Sequence, residues 1–361
     1  STLTAIGMAV AVGGVVALVG VSSGSVRSFK AIYQRMKVSI VVQQKGAKQR
    51  LTSALPESLG LEIAKIPGVK QVNPGLVDYT SLEELGISAL VVQGWIPDSP
   101  MMRQLNIAPG GHWITAQDKR AVLLGQELAS SLNKKVGDQL PLFDDGKFTV
   151  VGIVKSSNPY ESSAMWVALP DLQRFMGRKG QVSGYTIVVD HPEDKAEVQR
   201  VRGAIAALGK NIDARDAEES VTSTTEIRFI QAMSWIISAI AIIIGAVGVL
   251  NTMVMSVSER TREIGILRAI GWRKGRIMRM ILMESMGLSI IGGVVGTVCA
   301  VVLTPLLGRL PAVSGLIDAN IANPGIIAFG IAMAIVTGLL GAMYPAYRGA
   351  QLQPTEALRH E

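Results

Sequence analysis

Charge, cysteine and histidine are all scarce in this sequence. Asp, Glu, Lys and Arg make up 17% of its 361 residues, less than a soluble protein of this size carries, while 48% are hydrophobic. With Cys299 as its one cysteine, the chain cannot form an internal disulfide. That says nothing about compartment, because an extracytoplasmic domain with a large enough core needs no disulfide. The pattern G-x-x-x-x-G-K-[ST] does not occur, so these residues contain no phosphate-cradling loop for ATP. H-E-x-x-H and G-x-S-x-G are missing too, which removes a metalloprotease helix and a serine nucleophile elbow. Of the histidines His112, His191 and His360, His112 sits beside Trp113 with Asp118 nearby, but no second His or Cys is placed to complete a metal site. It reads as a structural or exposed side chain. No catalytic residue, metal or cofactor is expected in this chain.

What the sequence does have is apolar length. The mean hydropathy is +0.35, and the apolar residues concentrate at 1–22, 232–257, 280–308 and 319–347, with an ordinary soluble texture between. No charge occurs from Ala232 to Val257, and only Glu284 from Met280 to Gly308. About 20 residues suffice for a helix to span a bilayer, so four spans are expected. Residues 1–22 lack the basic start of a signal peptide and open abruptly on Ser1. A membrane anchor with a cytoplasmic leader ahead of Ser1 fits them better.

Residues 258–279 orient the chain. They carry Arg260, Arg262, Arg268, Arg273, Lys274, Arg276 and Arg279 against Glu259 and Glu263. Such an excess in a short loop marks the cytoplasmic side. The net charge of +7 is therefore read as topology and contact with membrane lipid, not as affinity for nucleic acid. The expected order is a first span at 1–26, an extracytoplasmic domain at 27–222, and a stalk with the second span at 223–257. A cytoplasmic helix and loop at 258–279, a span at 280–308, an outer loop at 309–318, a span at 319–347 and a cytoplasmic tail at 348–361 complete it.

The outer domain has α/β punctuation. Val38–Val42 is a β-branched run suited to a buried strand, and the helical spacing of Ser58–Ile66 stops at Pro67-Gly68. Strands are expected at Val69–Val77 and Ala89–Val92. A segment of different texture, about 100–170, holds a strand at Ala121–Leu124, a helix at Gln126–Leu132 and a hairpin of Gln139–Phe143 with Lys147–Val154. Tyr185–Val189, a helix near Glu193–Leu208 and a strand near Ile212 then resume the first texture. This is the outline of a split ferredoxin-like domain carrying an inserted subdomain.

Three features inside or beside the membrane remain. Glu284 is a carboxylate within a span, about one turn past Met280. It reads as a structural or coupling anchor, with Arg276, Arg279 or backbone groups as partners. Gly292 and Gly296 form a G-x-x-x-G that lets helices approach closely, either within one chain or across a dimer. Met278, Met280, Met283 and Met286 read as plastic core. Within the wedge at 258–273, Ile264, Leu267 and Ile270-Gly271 share one helical face, and Glu259, Arg262 and Glu263 share another. Residue pattern alone leaves a surface-lying membrane helix and a docking helix level.

The run Ser258–Gly271 (SERTREIGILRAIG), the G-G-x-x-G span after it and the close YPAYRGAQLQPTEALRHE at Tyr344–Glu361 resemble the MacB/FtsX permease family. That family comprises type VII, or mechanotransmission, ABC transporters. The resemblance implies a bacterial inner-membrane protein of four transmembrane helices whose outer α/β domain combines a porter-like and a sabre-like part. It implies a permease homodimer served by an ABC ATPase dimer that binds ATP and Mg; lacking a P-loop here, the ATPase is expected as a separate subunit. The loop between the second and third spans would dock on it through Glu259, Arg260, Arg262, Glu263, Gly265, Arg268 and Gly271. Export of an amphiphilic or periplasmic substrate, with a periplasmic adaptor and an outer-membrane channel as partners, is one implied function. Transmembrane signalling to an envelope enzyme or sensor is the other.

Overall fold

A computed structural model of the chain describes residues 2–47, 50–82, 87–143, 146–223, 225–307 and 323–352. The expected outer loop at 309–318, the hairpin residues Asp144 and Asp145, and the motif from Gln353 to Glu361 lie outside the described residues. The chain divides into two compact units. Among the described residues, one takes those from 25 to 229, and the other 2–24, 230–307 and 323–352. A first helix, α1 (Thr2–Arg35), supplies residues to both.

In the outer unit, α1 is followed by β1 (Ile40–Gln44), β2 (Leu55–Pro56), α2 (Leu59–Ile63), β3 (Val69–Leu82) and β4 (Ile87–Trp95). Then come β5 (Ala121–Gly125), α3 (Gln126–Ser131), β6 (Gln139–Leu142), β7 (Gly146–Val154), α4 (Pro159–Ser162), β8 (Met165–Ala168) and α5 (Leu169–Phe175). The unit closes with β9 (Gln181–Val182), β10 (Gly184–Val189), α6 (Lys195–Ala207), β11 (Ile212–Asp216) and α7 (Ala217–Ser223). All strands but the small β2–β9 pair join one nine-stranded sheet in the order β11-β1-β10-β3-β4-β8-β5-β7-β6. Its first four strands have the ferredoxin-like arrangement, two β-α-β halves (β1-α2-β3 and β10-α6-β11) interleaved so that every neighbouring pair is antiparallel.

The inserted part is not a separate sheet. It departs from the β3–β4 hairpin, and β8 then lies parallel to β4, extending the same sheet edge to edge. Because side chains alternate faces along a strand, one sheet carries two cores. Ile40, Val42, Leu124 and Val167 face one core, which helices α2, α3, α5 and α6 cover. Val41, Leu123 and Trp166 face the other, with Met101, Met102 and Leu105. This is why Val38–Val42 reads as apolar without alternation: β1 is buried on both sides.

The end of α1 is fixed to this unit by three contacts. Arg35 is paired with Glu161, whose side chain is 5% exposed and also accepts from the Ser156 hydroxyl at 2.6 Å. The Asn158 amide donates to the Ser28 carbonyl at 2.8 Å, and the Phe29 and Tyr160 rings lie 3.9 Å apart. Backbone geometry closes the helix: the Val38 amide bonds the Tyr33 carbonyl and the Lys37 amide bonds that of Gln34. This double cap needs a left-handed residue, and here Lys37 fills it at φ 53°.

The second unit contains α1 up to residue 24, α8 (Thr225–Glu259) from Ile230, α9 (Thr261–Ala269), α10 (Lys274–Leu307) and α11 (Pro324–Gln351). Helices α1, α8, α10 and α11 are each long and apolar enough to cross a membrane. They extend beyond the apolar stretches; α10 begins at Lys274, within the charged 258–279 segment. Asn323 caps α11 by accepting from the Gly325 amide, and Pro324 follows in the first turn, where its missing N–H costs nothing.

Replacing Lys37 with glycine removes the left-handed strain and should stabilise the outer unit by about 0.5–1 kcal/mol, after glycine's greater unfolded-state entropy is counted. For a unit of this size the unfolding midpoint should rise by roughly 1–4 °C. Tryptophan fluorescence on heating reads this, since Trp166 is buried in the core beside Trp95. A lowered midpoint would show that the cap is not strained.

Candidate functional site

The turn from α8 through α9 into α10 gathers most of the residues singled out by sequence. Helix α8 stops at Glu259, and Arg260 alone separates it from α9. Arg260 leaves helical geometry (φ −101°, ψ 16°), and the Thr261 hydroxyl bonds back to the carbonyls of Val257 and Ser258. At the other end the Trp272 amide bonds the Leu267 carbonyl and the Gly271 amide bonds that of Arg268. Gly271, at φ +102°, supplies the left-handed residue this cap requires. A nine-residue helix is too short to persist alone in water, so its packed face must hold it. Ile264 (3% exposed) and Gly265 bury that face, in one cluster with Met253, Ile277 and Ile281 and with Leu267 and Trp272 at its margin.

A fork of charge crosses the elbow. One guanidinium nitrogen of Arg260, Nη1, lies 3.0 and 3.1 Å from the two carboxylate oxygens of Glu284. The expected partners of Glu284 are therefore not the ones it has. Arg279 precedes it by five residues and so points about 140° away around α10, and Arg276 lies two turns earlier; instead Arg276 sits 5.3 Å over the Trp272 ring. A cavity of about 170 Å³ adjoins the fork, with Met253, Val257, Ile264 and Leu267 and the charged Arg260, Glu263 and Glu284 in its lining.

The predicted docking residues thus separate into two groups. Glu259, Arg262 and Glu263 are exposed. Arg260, Gly265, Arg268 and Gly271 build the elbow: Arg268 donates to the Trp272 carbonyl at 3.0 Å, and the other three pair, pack or cap. Sequence reasoning placed Ile270 with the buried face, but α9 ends at Ala269 and the glycine turn leaves Ile270 73% exposed. Ile266, one turn before it, is 43% exposed. With Arg262 these two form an outward stripe at four-residue spacing. The signal was available: apolar residues beyond those needed to bury one face of a short helix.

The glycines act within the chain. An added Cβ on Gly292 would lie 2.8 Å from the Met8 Cβ, and one on Gly296 would collide with the Ala9 carbonyl, both on α1. Met278, Met280 and Met283 are not core; they are 38%, 36% and 53% exposed. In the outer unit, His112 Nε2 lies 3.3 Å from Asp118 Oδ1. Partial burial pushes the Asp118 carboxyl upward, but hydrogen bonds from the Thr115 amide and hydroxyl and from His112 outweigh it and hold the group below the usual carboxylate range.

Two family models match. The MacB-like periplasmic core domain matches residues 1–208, and the FtsX-like permease C-terminal region matches residues 235–354. The uncharacterized ABC transporter permease MJ1507 of Methanocaldococcus jannaschii is 30% identical over 263 residues, 70% of this chain and 65% of its own. The macrolide export ATP-binding/permease protein MacB of Bdellovibrio bacteriovorus is 25% identical over 395 residues, 100% of this chain and 59% of its own. The pyoverdine export ATP-binding/permease protein PvdT of Pseudomonas aeruginosa is 28% identical over 396 residues, 99% and 56%. The chain spans between about half and two thirds of the length of such curated relatives.

A double-mutant cycle tests the fork. Arg260→Ala and Glu284→Ala should each lower the unfolding midpoint of the full chain in detergent, and the double variant should lose about 1 kcal/mol less than their sum, a modest figure because both side chains are partly exposed. Strict additivity would show that the pair contributes nothing.

Proposed function

Because the chain belongs to the MacB/FtsX-type family of ABC transporter permeases, we propose that it couples ATP hydrolysis by an ABC ATPase to movement of its outer unit, for export of an amphiphilic or periplasmic substrate. It is a multi-pass inner-membrane protein with a large extracytoplasmic domain. The observation that carries the proposal is the construction of α9. Its inner face is packed, its C-terminal end is capped, and its outward stripe of Arg262, Ile266 and Ile270 is flanked by Glu259 and Glu263. Exposed isoleucines beside charges of both signs suit a protein groove: the apolar pair supplies affinity and the charges fix orientation. A helix lying on lipid would instead put its isoleucines on the face opposite its charges.

ATP and Mg would be bound by the ATPase, since the 361 residues hold no P-loop. When its two copies close on nucleotide, the elbow would be pushed as one body with α8 and α10. Helices α1 and α8 each supply residues to both units, which offers a covalent route for that displacement. Within this scheme a second permease copy completes the assembly. Apart from Glu284, the span residues 280–308 carry no charge that would line an ion path. The names of two relatives, macrolide and pyoverdine exporters, support export over signalling.

Reversing both charges at Arg262 and Glu263 should reduce permease-stimulated ATPase activity by at least about tenfold while the unfolding midpoint stays put. Undiminished stimulation would remove the docking assignment. Proteins co-purified with the native complex separate the two functions. A periplasmic adaptor and outer-membrane channel are expected; a cell-wall hydrolase as sole extracytoplasmic partner would overturn export.

A further inference from the structure

Four cations follow α9 that the elbow does not use. Arg260 is committed to Glu284 and Arg268 to the Trp272 carbonyl. Arg273, Lys274, Arg276 and Arg279 are exposed and form no ion pair among the described residues. No acidic residue lies in sequence between Glu263 and Glu284. Within this group the Arg276 guanidinium lies over the Trp272 ring, and an indole beside a guanidinium is characteristic of the level where membrane meets water.

Helix geometry shows what these cations adjoin. At about 100° per residue, Arg276, Arg279, Met283, Gly287, Ile291 and Val294 share one side of α10. All six are exposed, with Met283, Ile291 and Val294 at 53%, 59% and 43%. Nothing lies within 4 Å of where a Gly287 side chain would start, so the stripe is notched there. From Met283 to Val294 the rise is about 16 Å, close to half of a hydrocarbon core about 30 Å thick. One face therefore presents two unpaired positive charges at the water boundary and then a grooved apolar track one leaflet deep.

We infer that this face binds an anionic phospholipid of the cytoplasmic leaflet, its phosphate between Arg276 and Arg279 and an acyl chain along Met283, Gly287 and Ile291. A cytoplasmic protein matches only the charged end, because the track continues into the span. A zwitterionic lipid matches the track but gains little from two cations that no carboxylate neutralises. Each cation near an anionic surface is worth about fivefold in affinity, so two give a preference of at least about tenfold.

The test uses the full chain in lipid nanodiscs, with phosphatidylglycerol and phosphatidylcholine competing for retention and bound lipid counted by native mass spectrometry. Phosphatidylglycerol should be retained at least about tenfold over phosphatidylcholine. Arg276→Gln with Arg279→Gln should bring the ratio close to one, whereas Lys274→Gln, on the opposite side of α10, should leave most of the preference. Gly287→Leu should weaken retention of both lipids by filling the notch. Equal retention by the unmodified chain would overturn the site, as would a preference that survives the double Arg variant. Loss of ATPase association with lipid preference intact would assign the two arginines to the protein partner instead.

Discussion

A carboxylate at the margin of a membrane span has to be neutralised or hydrogen-bonded, and Glu284 meets that demand through Arg260, the single residue joining α8 to α9. The pairing thereby sets more than a side chain. It holds the break between two helices against the start of a third, so α8, α9 and α10 share one corner. The packing of Ile264 and Gly265 and the glycine cap after α9 follow from that corner, since each lets a short helix turn back along the bundle without exposing unpaired backbone. The outward position of Arg262, Ile266 and Ile270 is what remains once those inward demands are met.

The outer unit solves a different problem, that of making one rigid body from a chain that leaves a ferredoxin-like arrangement and returns to it. Edge-to-edge addition of β4 and β8 keeps the sheet continuous, and burial on both faces makes it stiff. The buried Glu161 belongs to the same solution. It draws Arg35 in while the Asn158 amide and the Tyr160 ring hold Ser28 and Phe29, so the last two turns of α1 are part of the α/β body.

How much of this was legible in the sequence differed by element. The four spans announced themselves by length of apolar run, and the α/β outline by β-branched runs and proline-glycine stops. The continuous sheet did not, because pairing of β4 with β8 joins residues some seventy positions apart and leaves no local mark. Strand β8, Met-Trp-Val-Ala, is buried at all four positions and has no periodicity to read. At the elbow, sequence named the right segment but not the division of labour within it. The partner of Glu284 was sought among arginines near in sequence on its own helix, where the angular step excludes one and the axial rise the other. Ile270 was misplaced because a pattern extended one residue past the end of the helix follows the wrong backbone. The methionines read as core since composition alone does not distinguish a face turned to lipid from one turned to protein.

The two ends of the outer sheet carry a further consequence. Strand β6 is four residues long and contains Pro141, which has no N–H to offer a neighbour. Strand β11 at the other end carries Asp213, Arg215 and Asp216 in five residues. Short length, proline and charge are features that discourage an exposed strand from recruiting another. Many copies of this domain can therefore be crowded on one membrane surface without running together into fibrils, so that neighbours meet through side chains and not through backbone.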